Sequence, residues 1–598
     1  LAVKTVSDQL EKDEKDWTYR RSNFSGGCGT QRLTEDRNDP RSKNGYWYGK
    51  VDTFIPRQTT LPVLSTLGTF TNKTGTASAA DATTLTEAGA FVAGLYVGFV
   101  VTCGGKTMTV TSNTTGVLTG SGGWSGGGSP TPGAYTITLI PSPSETDYVS
   151  FAEFCDSTGS RYLYMAKGPN VWRTQATAWT LVHTKAGGQG RQLHVCEGYA
   201  NILFWAAGGS VNLQYTTDGT TWADYDVFED WTPRPALAFW TRPLSTGANF
   251  RTNAIRSDYI FQATGDPRGT LNPLGSVEPF VGGLFYESSG LSSAWCTAFI
   301  PTGSVIHEVV AADGAWFNDH RPGFLDVTAA CVYGDELAIV DSGQGPFLWY
   351  PGRPVRDISI WRDDGCPPDL KGQIKALITV GSYLLAYWQL DGSDVTMIFW
   401  GRINEAGQWT WHYRAGDYTG AHPLGNSGLW MTHGTLATHD RRRLWTCTAD
   451  GTTCRLYYQD WPHASWNPLM ETSSWMQYED GYRYLYDSWV NLLLMGDQAG
   501  ALTEIERHGD FTAATKNMTV DYRLDDDSTA EASATWKSLL TINDTRRVQP
   551  IHPQRGIQAL SSQLKIGLDR TTATLTPVLR DLGLTIERQV RHPVLRRK

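Results

Sequence analysis

Several groups of residues in this 598-residue chain have the types that chemistry requires, and their spacing decides what they can do. Hydrolysis of a glycosidic bond needs two carboxylates about 5 to 10 Å apart, one giving a proton and the other acting as base or nucleophile. Glu197, Asp335 and Glu336 are candidates, but each falls in an expected hairpin turn, where acidic side chains are common because they bond nearby backbone N–H groups. A gripped substrate carboxylate would call for converging arginines. Arg251, Arg256 and Arg402 are present, with no spacing that selects them as a trio. His433 and His439 come nearest to a metal-binding pair, yet neither HxH nor HExxH occurs, and an expected strand and its turn account for them. Asp525, Asp526 and Asp527 offer oxygen ligands to a calcium ion without the alternating spacing of a calcium loop, and read as a solvated hairpin tip. The glycine-rich "GGCG" and "GSGGWSGGGS" lack the flanking strand, helix and lysine of a phosphate cradle. These residues therefore lead to an expectation of no catalytic set, no metal and no cofactor.

The elements that would have to position any site are strands. With 24 Trp, 26 Tyr and 62 Gly beside only 19% charged residues, the composition is that of an all-β protein rich in turns. One hydrophobic core serves no more than about 250 to 300 residues, so several domains are expected. The formal net charge of -9 leaves the chain as a whole without the basic footprint that nucleic acid requires, local basic spots aside, and no specific nucleic-acid partner is expected. No apolar run approaches the roughly 18 to 20 residues of a membrane helix, so no transmembrane segment is expected. The nine cysteines are odd in number and lack zinc-like spacing, which predicts reduced, mostly buried thiols.

Residues 1–66 read as an extended arm and the entry to the next unit. They open with the charge-dense "SDQLEKDEKDWTYRR" and carry aromatic anchors at Trp17, Phe24, Tyr46 and Trp47 suited to a partner. Residues 67–141 turn to Thr, Gly, Ser and Ala, and predict a small inserted β-barrel or sandwich, with a flexible linker as the alternative. From 142 to 510 a unit recurs at roughly 45- to 60-residue intervals, the size of a four-stranded propeller blade. Its copies include "LHVCEGYANILFWAAGGSVNLQYTTDGTTW", "IKALITVGSYLLAYWQLDGSDVTMIFWGRI" and "MQYEDGYRYLYDSWVNLLLMGDQAGALTEIERHG". Runs such as "NILFW" and "YLLAYW", apolar on both sides of a strand, suit a sheet held between two neighbours. The expectation is a multi-bladed β-propeller of six to eight blades, seven favoured. Residues 511–587 predict a C-terminal β-sandwich, and 588–598 form a basic tail with Arg591, Arg596 and Arg597.

One stretch of the second unit, "YTTDGTTWADY", resembles the Asp-box turn of sialidase-type propellers. That resemblance implies that Asp218 and Gly219 shape a tight turn, that Thr221 bonds locally and that Trp222 packs into the blade. A second, degenerate version stands at "CTADGTTC", with Asp450 and Gly451. Such turns lie away from the catalytic centre in those families, so the motif implies architecture and not an enzyme.

The order of parts also resembles the propeller-containing tail proteins of tailed bacteriophages. An arm leads to "YWYGKVDTFIPRQTTLPV", then to an insertion with "GLYVGFVV" and "KTMTVTSNTT", an aromatic propeller, and a last domain with "TPVLRDLGLTIE". This resemblance implies a non-enzymatic virion component in a tail ring, nozzle, tail tip or baseplate, assembled in the host cytoplasm. Its partners would be copies of itself and other tail proteins. A host-surface glycan-binding protein and, behind it, a sialidase-like glycoside hydrolase stand as the alternatives.

Overall fold

In the computed structural model every regular element among the described residues is a strand. The structure describes residues 72–138 throughout and most of 149–225 and 319–412 with their side chains, plus shorter pieces within 304–306, 443–456, 502–523, 535–551 and 564–585. Elsewhere it describes the backbone of the strands alone.

Between residues 149 and 460 the strands form seven consecutive antiparallel sheets, at 149–184, 192–225, 238–276, 286–320, 327–357, 372–419 and 429–460. They are called here sheets one to seven. Within each, strands pair in chain order, as short turns between antiparallel neighbours dictate. The first strands of the sheets meet. Val149–Cys155 lies against Gln192–Cys196, which lies against Ala238–Pro243; Tyr286–Glu287 lies against Val327–Tyr333, then come Gly372–Val380 and Leu429–Met431, which returns to Val149–Cys155. In sheets two and six the second strands are buried on both faces, at Ile202–Ala206 and at Leu384 to Trp388. A sheet covered on one side only would alternate instead.

Residues 73–138 form two four-stranded sheets closed around Leu85, Val101, Met108, Leu118, Tyr135 and Ile137. The glycine-rich "GSGGWSGGGS" is not a loose connector. Trp124 is buried and donates from Nε1 to the Asp81 carbonyl at 2.8 Å, which fixes the loop. Ser125 and Thr107 then exchange two hydrogen bonds, so the loop covers the outer edge of Lys106–Thr109 and shields an otherwise unpaired strand. This domain shares an apolar cluster with sheet one, where Phe99 meets Trp172 edge-on at 6.4 Å.

The last domain is two sheets packed over Leu502, Ile505, Val520, Ile566, Leu582 and Leu584. Alternation along Ser561–Arg570, with Leu564, Ile566 and Leu568 buried, aims one face of that strand inward. Its membership departs from the sequence reading in two ways. Arg483–Tyr486, Val490–Asn491 and Gly500–Asp510, within "MQYEDGYRYLYDSWVNLLLMGDQAGALTEIERHG", do not form a blade-like sheet of their own. They pair with Ser561–Arg570 and Val578–Arg588, so this domain begins near residue 483 and not at 511. The arm, too, is drawn into the chain: Asp16–Arg21 adds to Val578–Arg588, Arg41–Lys43 to Arg483–Tyr486, and Thr53–Pro56 touches the terminal sheet through Phe54 and Leu579. An unpaired backbone edge takes up any extended strand in reach, including one from the far end of the chain.

Candidate functional site at the joint between sheets one and two

The turn at Asp218 joins Leu213–Thr216 to Ala223–Tyr225, the third and fourth strands of sheet two. One carboxylate oxygen of Asp218 accepts the backbone N–H groups of Thr220 and Thr221 at 2.8 and 2.6 Å, and the hydroxyls of Thr216 and Thr220 at 3.1 and 3.2 Å. Burial would raise its pKa, but the N–H groups of Thr221 and Thr220 outweigh that and hold it far below the usual carboxylate range. A carboxylate bonded in this way to the backbone two and three residues on and held ionised is a turn former.

Gly219 ties the turn to sheet one. Its φ is +76°, in the left-handed region, and its carbonyl accepts the buried Tyr164 hydroxyl at 3.2 Å. A Cβ at this position would lie 2.1 Å from that hydroxyl. Gly219→Ala is expected to cost at least about 2 kcal/mol in urea unfolding, from the strained φ and the clash together. Adding Tyr164→Phe should remove the clash and bring the cost nearer the roughly 1 to 2 kcal/mol of the backbone alone. Equal stability of Gly219→Ala and the parent would refute this account of the joint.

Trp222 follows, half-buried, and stacks on His183 of sheet one at 5.0 Å between centroids and 15° between planes. Trp205 meets the same histidine edge-on at 5.7 Å. Burial, helped by the Lys185 ammonium, lowers the His183 pKa to about 4 against the weaker pull of Gln214 and Asp224. Lys185 and Asp224 close the rim with an ion pair at 2.6 Å. At neutral pH the imidazole is therefore uncharged and packed between indoles.

Asp450 and Gly451 lie outside the described residues. The strands on either side of them, Arg443–Ala449 and Cys454–Asp460, pair antiparallel in sheet seven. Asp-Gly suits any tight strand connection, and sequence does not tell which pair it joins.

The other sequence candidates do not converge among the described residues. Glu336 holds Arg356 at 2.5 Å, while Asp335 sits in the adjoining turn. Arg402 lies over the Tyr383 ring and reaches its hydroxyl at 3.2 Å. Arg251 and Arg256 lie on Phe250–Arg256, described as backbone only; Glu197, His433, His439 and Asp525 to Asp527 lie outside the described residues. Among the described residues no three His, Cys, Asp or Glu side chains gather as a metal site. Trp17 lies on Asp16–Arg21, and Tyr46 and Trp47 on Gly45–Tyr48, again as backbone; Phe24, Arg591, Arg596 and Arg597 lie outside the described residues. Sequence reading missed His183, because one histidine on an alternating strand announces nothing until Trp222 is known to face it.

No protein-family model and no curated protein matches the sequence. Solved structures similar to the chain include virginiamycin B lyase from Staphylococcus aureus, at 9% identity over 54% of this chain and 97% of that one, with a TM-score of 0.35. An oligogalacturonate lyase matches at 10% identity over 54% and 100%, with a TM-score of 0.33. A chain of a mitotic checkpoint complex matches at 12% identity over 54% and 97%, with a TM-score of 0.31. Likenesses at these identities and TM-scores carry nothing about activity, substrate or partner.

Proposed function

We propose that residues 149–460 are a seven-bladed β-propeller carrying an inserted sandwich and a terminal sandwich, and that the chain is a non-enzymatic structural part of a bacteriophage tail, present in several copies. The return of Leu429–Met431 to Val149–Cys155 supports the closed ring, because a row of sheets stacked in the open would leave its two end faces apart. One observation carries the structural role. Asp16–Arg21 of the arm is taken up as an added strand by Val578–Arg588, and Glu11–Lys12 folds back along its other edge, so the arm supplies the outermost strand of the terminal sheet, a charged edge suited to contact with a neighbouring subunit.

The test is immunogold labelling of phage particles that encode the chain, with an antibody against residues 72–138. Label on the tail supports the proposal, and purified particles that lack the chain overturn it. A panel of polysaccharides incubated with the purified chain separates the alternatives: released sugar would overturn the non-enzymatic reading, and retention without release would favour a receptor-binding role.

A further inference from the structure

We infer that the inserted domain at 73–138 takes part in closing the propeller ring: its docking on sheet one and the meeting of sheets seven and one are coupled, and each loosens when the other is lost. Consecutive sheets follow one another along the chain, whereas sheets seven and one lie at its two ends, at residues 460 and 149. Packing, and not a direct chain connection, must hold that joint.

Sheet one offers a single apolar face to both neighbours. Trp172 of its third strand, Asn170–Thr174, stands opposite Leu181 of its fourth, Ala178–Thr184, and Trp179 lies two residues along that strand on the same side. Phe99 of the inserted domain meets Trp172 edge-on at 6.4 Å, and Trp445 of sheet seven meets Trp179 edge-on at 5.6 Å. The two seats are thus separated by one cross-strand step of about 5 Å and one two-residue step of about 7 Å. All three indoles are closed to water, and Phe99 is only 7% exposed. One apolar cluster runs from Val101 of the inserted domain through Met165 and Leu181 to Cys447 of sheet seven.

The opposite face of sheet one is already taken, since Phe154, Tyr164 and Val171 pack with Leu203 and Trp205 of sheet two. Coupling follows from what each neighbour covers on the remaining face. With Phe99 withdrawn, Trp172 and Leu181 lose the ring packed against them, and Trp179 loses the support beside it. With Trp445 withdrawn, the same row of side chains is opened from its other end. A close-packed interior does not yield by degrees, so a gap at one seat forfeits contacts at the next. Whatever one neighbour gives to the seating of the other it receives back by the same factor.

The inference rests on the propeller reading above, and its experiment keeps the two apart. Hydrogen exchange of the full chain is followed by mass spectrometry in the parent and in Phe99→Ala. Slow exchange of Val149–Cys155 and Leu429–Met431 in the parent tests the ring; fast exchange there would overturn ring and coupling alike. In Phe99→Ala, exchange in Leu429–Met431 and Arg443–Ala449 should rise about tenfold or more, while Glu336–Asp341 of sheet five stays as it was. Val100–Cys103 and Ala134–Thr138 report whether the inserted domain itself stays folded. If they too exchange fast, the seam should open further, so a seam that stays slow overturns the coupling in either case. A rise spread evenly over all sheets would do the same. Trp445→Ala supplies the reverse arm: it should raise exchange by a similar factor at the Gly98 and Val110 N–H groups, which bond the Val110 and Phe99 carbonyls within the inserted domain. No change there would overturn the coupling as well.

Discussion

Trp179→Ala is expected to cost about 3 to 5 kcal/mol in urea unfolding, the largest loss from any single change discussed here. The side chain is fully buried, and its ring packs on Trp445 across the joint between sheets seven and one. Truncation leaves a cavity that strands on both sides cannot fill without shifting. Trp445→Ala should cost a similar amount, and the double variant about 0.5 to 1.5 kcal/mol less than the sum, because the edge-on contact is lost once and not twice. Additive losses would show that the two indoles do not share one interface. As a comparison, Leu325→Ala removes a side chain 77% exposed and should stay within about 0.5 kcal/mol of the parent.

Acidification from pH 7 to pH 5 is expected to cost about 2 kcal/mol through His183 alone. Its pKa is about 4 in the folded chain against an ordinary 6.5, so the unfolded chain takes up the proton first. The stability is whole above pH 6.5 and drains away as pH falls from there toward 4. Protonation would place a buried cation against Trp222 and Trp205 with the Lys185 ammonium close by, a cost that the pull of Gln214 and Asp224 offsets only in part. His183→Phe keeps the stacking and cannot take up a proton. The difference in unfolding free energy from urea titration between parent and variant should therefore shift in favour of the variant by about 2 kcal/mol over that interval. A difference that does not vary with pH would mean that His183 titrates normally.

Local signals in the sequence located strands well and located their partners poorly. Within "NILFW" and "YLLAYW" the residues from Ile202 and from Leu384 onward are buried because each run lies second in a sheet flanked on both faces, which is what an unbroken apolar run requires. The Asp218 turn depends on near neighbours alone, since an Asx turn is built by residues within three positions of each other. Arg483–Tyr486 carried the same aromatic alternation as a blade strand, yet it pairs with Ser561–Arg570 and not with the strands before it. Alternation fixes which face of a strand is wet and says nothing about which distant edge it joins. The same limit hid the pairing of the arm, and it hid His183, whose setting depends on Trp222 and Trp205 in the next sheet.

The pairing of Asp16–Arg21 with Val578–Arg588 sets the order of events during synthesis. The arm leaves the ribosome long before its partner strand is made. At about 5 to 20 residues per second, the arm waits roughly half a minute to two minutes with its backbone unpaired. An apolar strand in that position would invite other nascent chains to pair with it. The dense mixed charge of "SDQLEKDEKDWTYRR" makes such early pairing unfavourable, so the residues that look least structured in the sequence keep the edge clean until its own partner arrives.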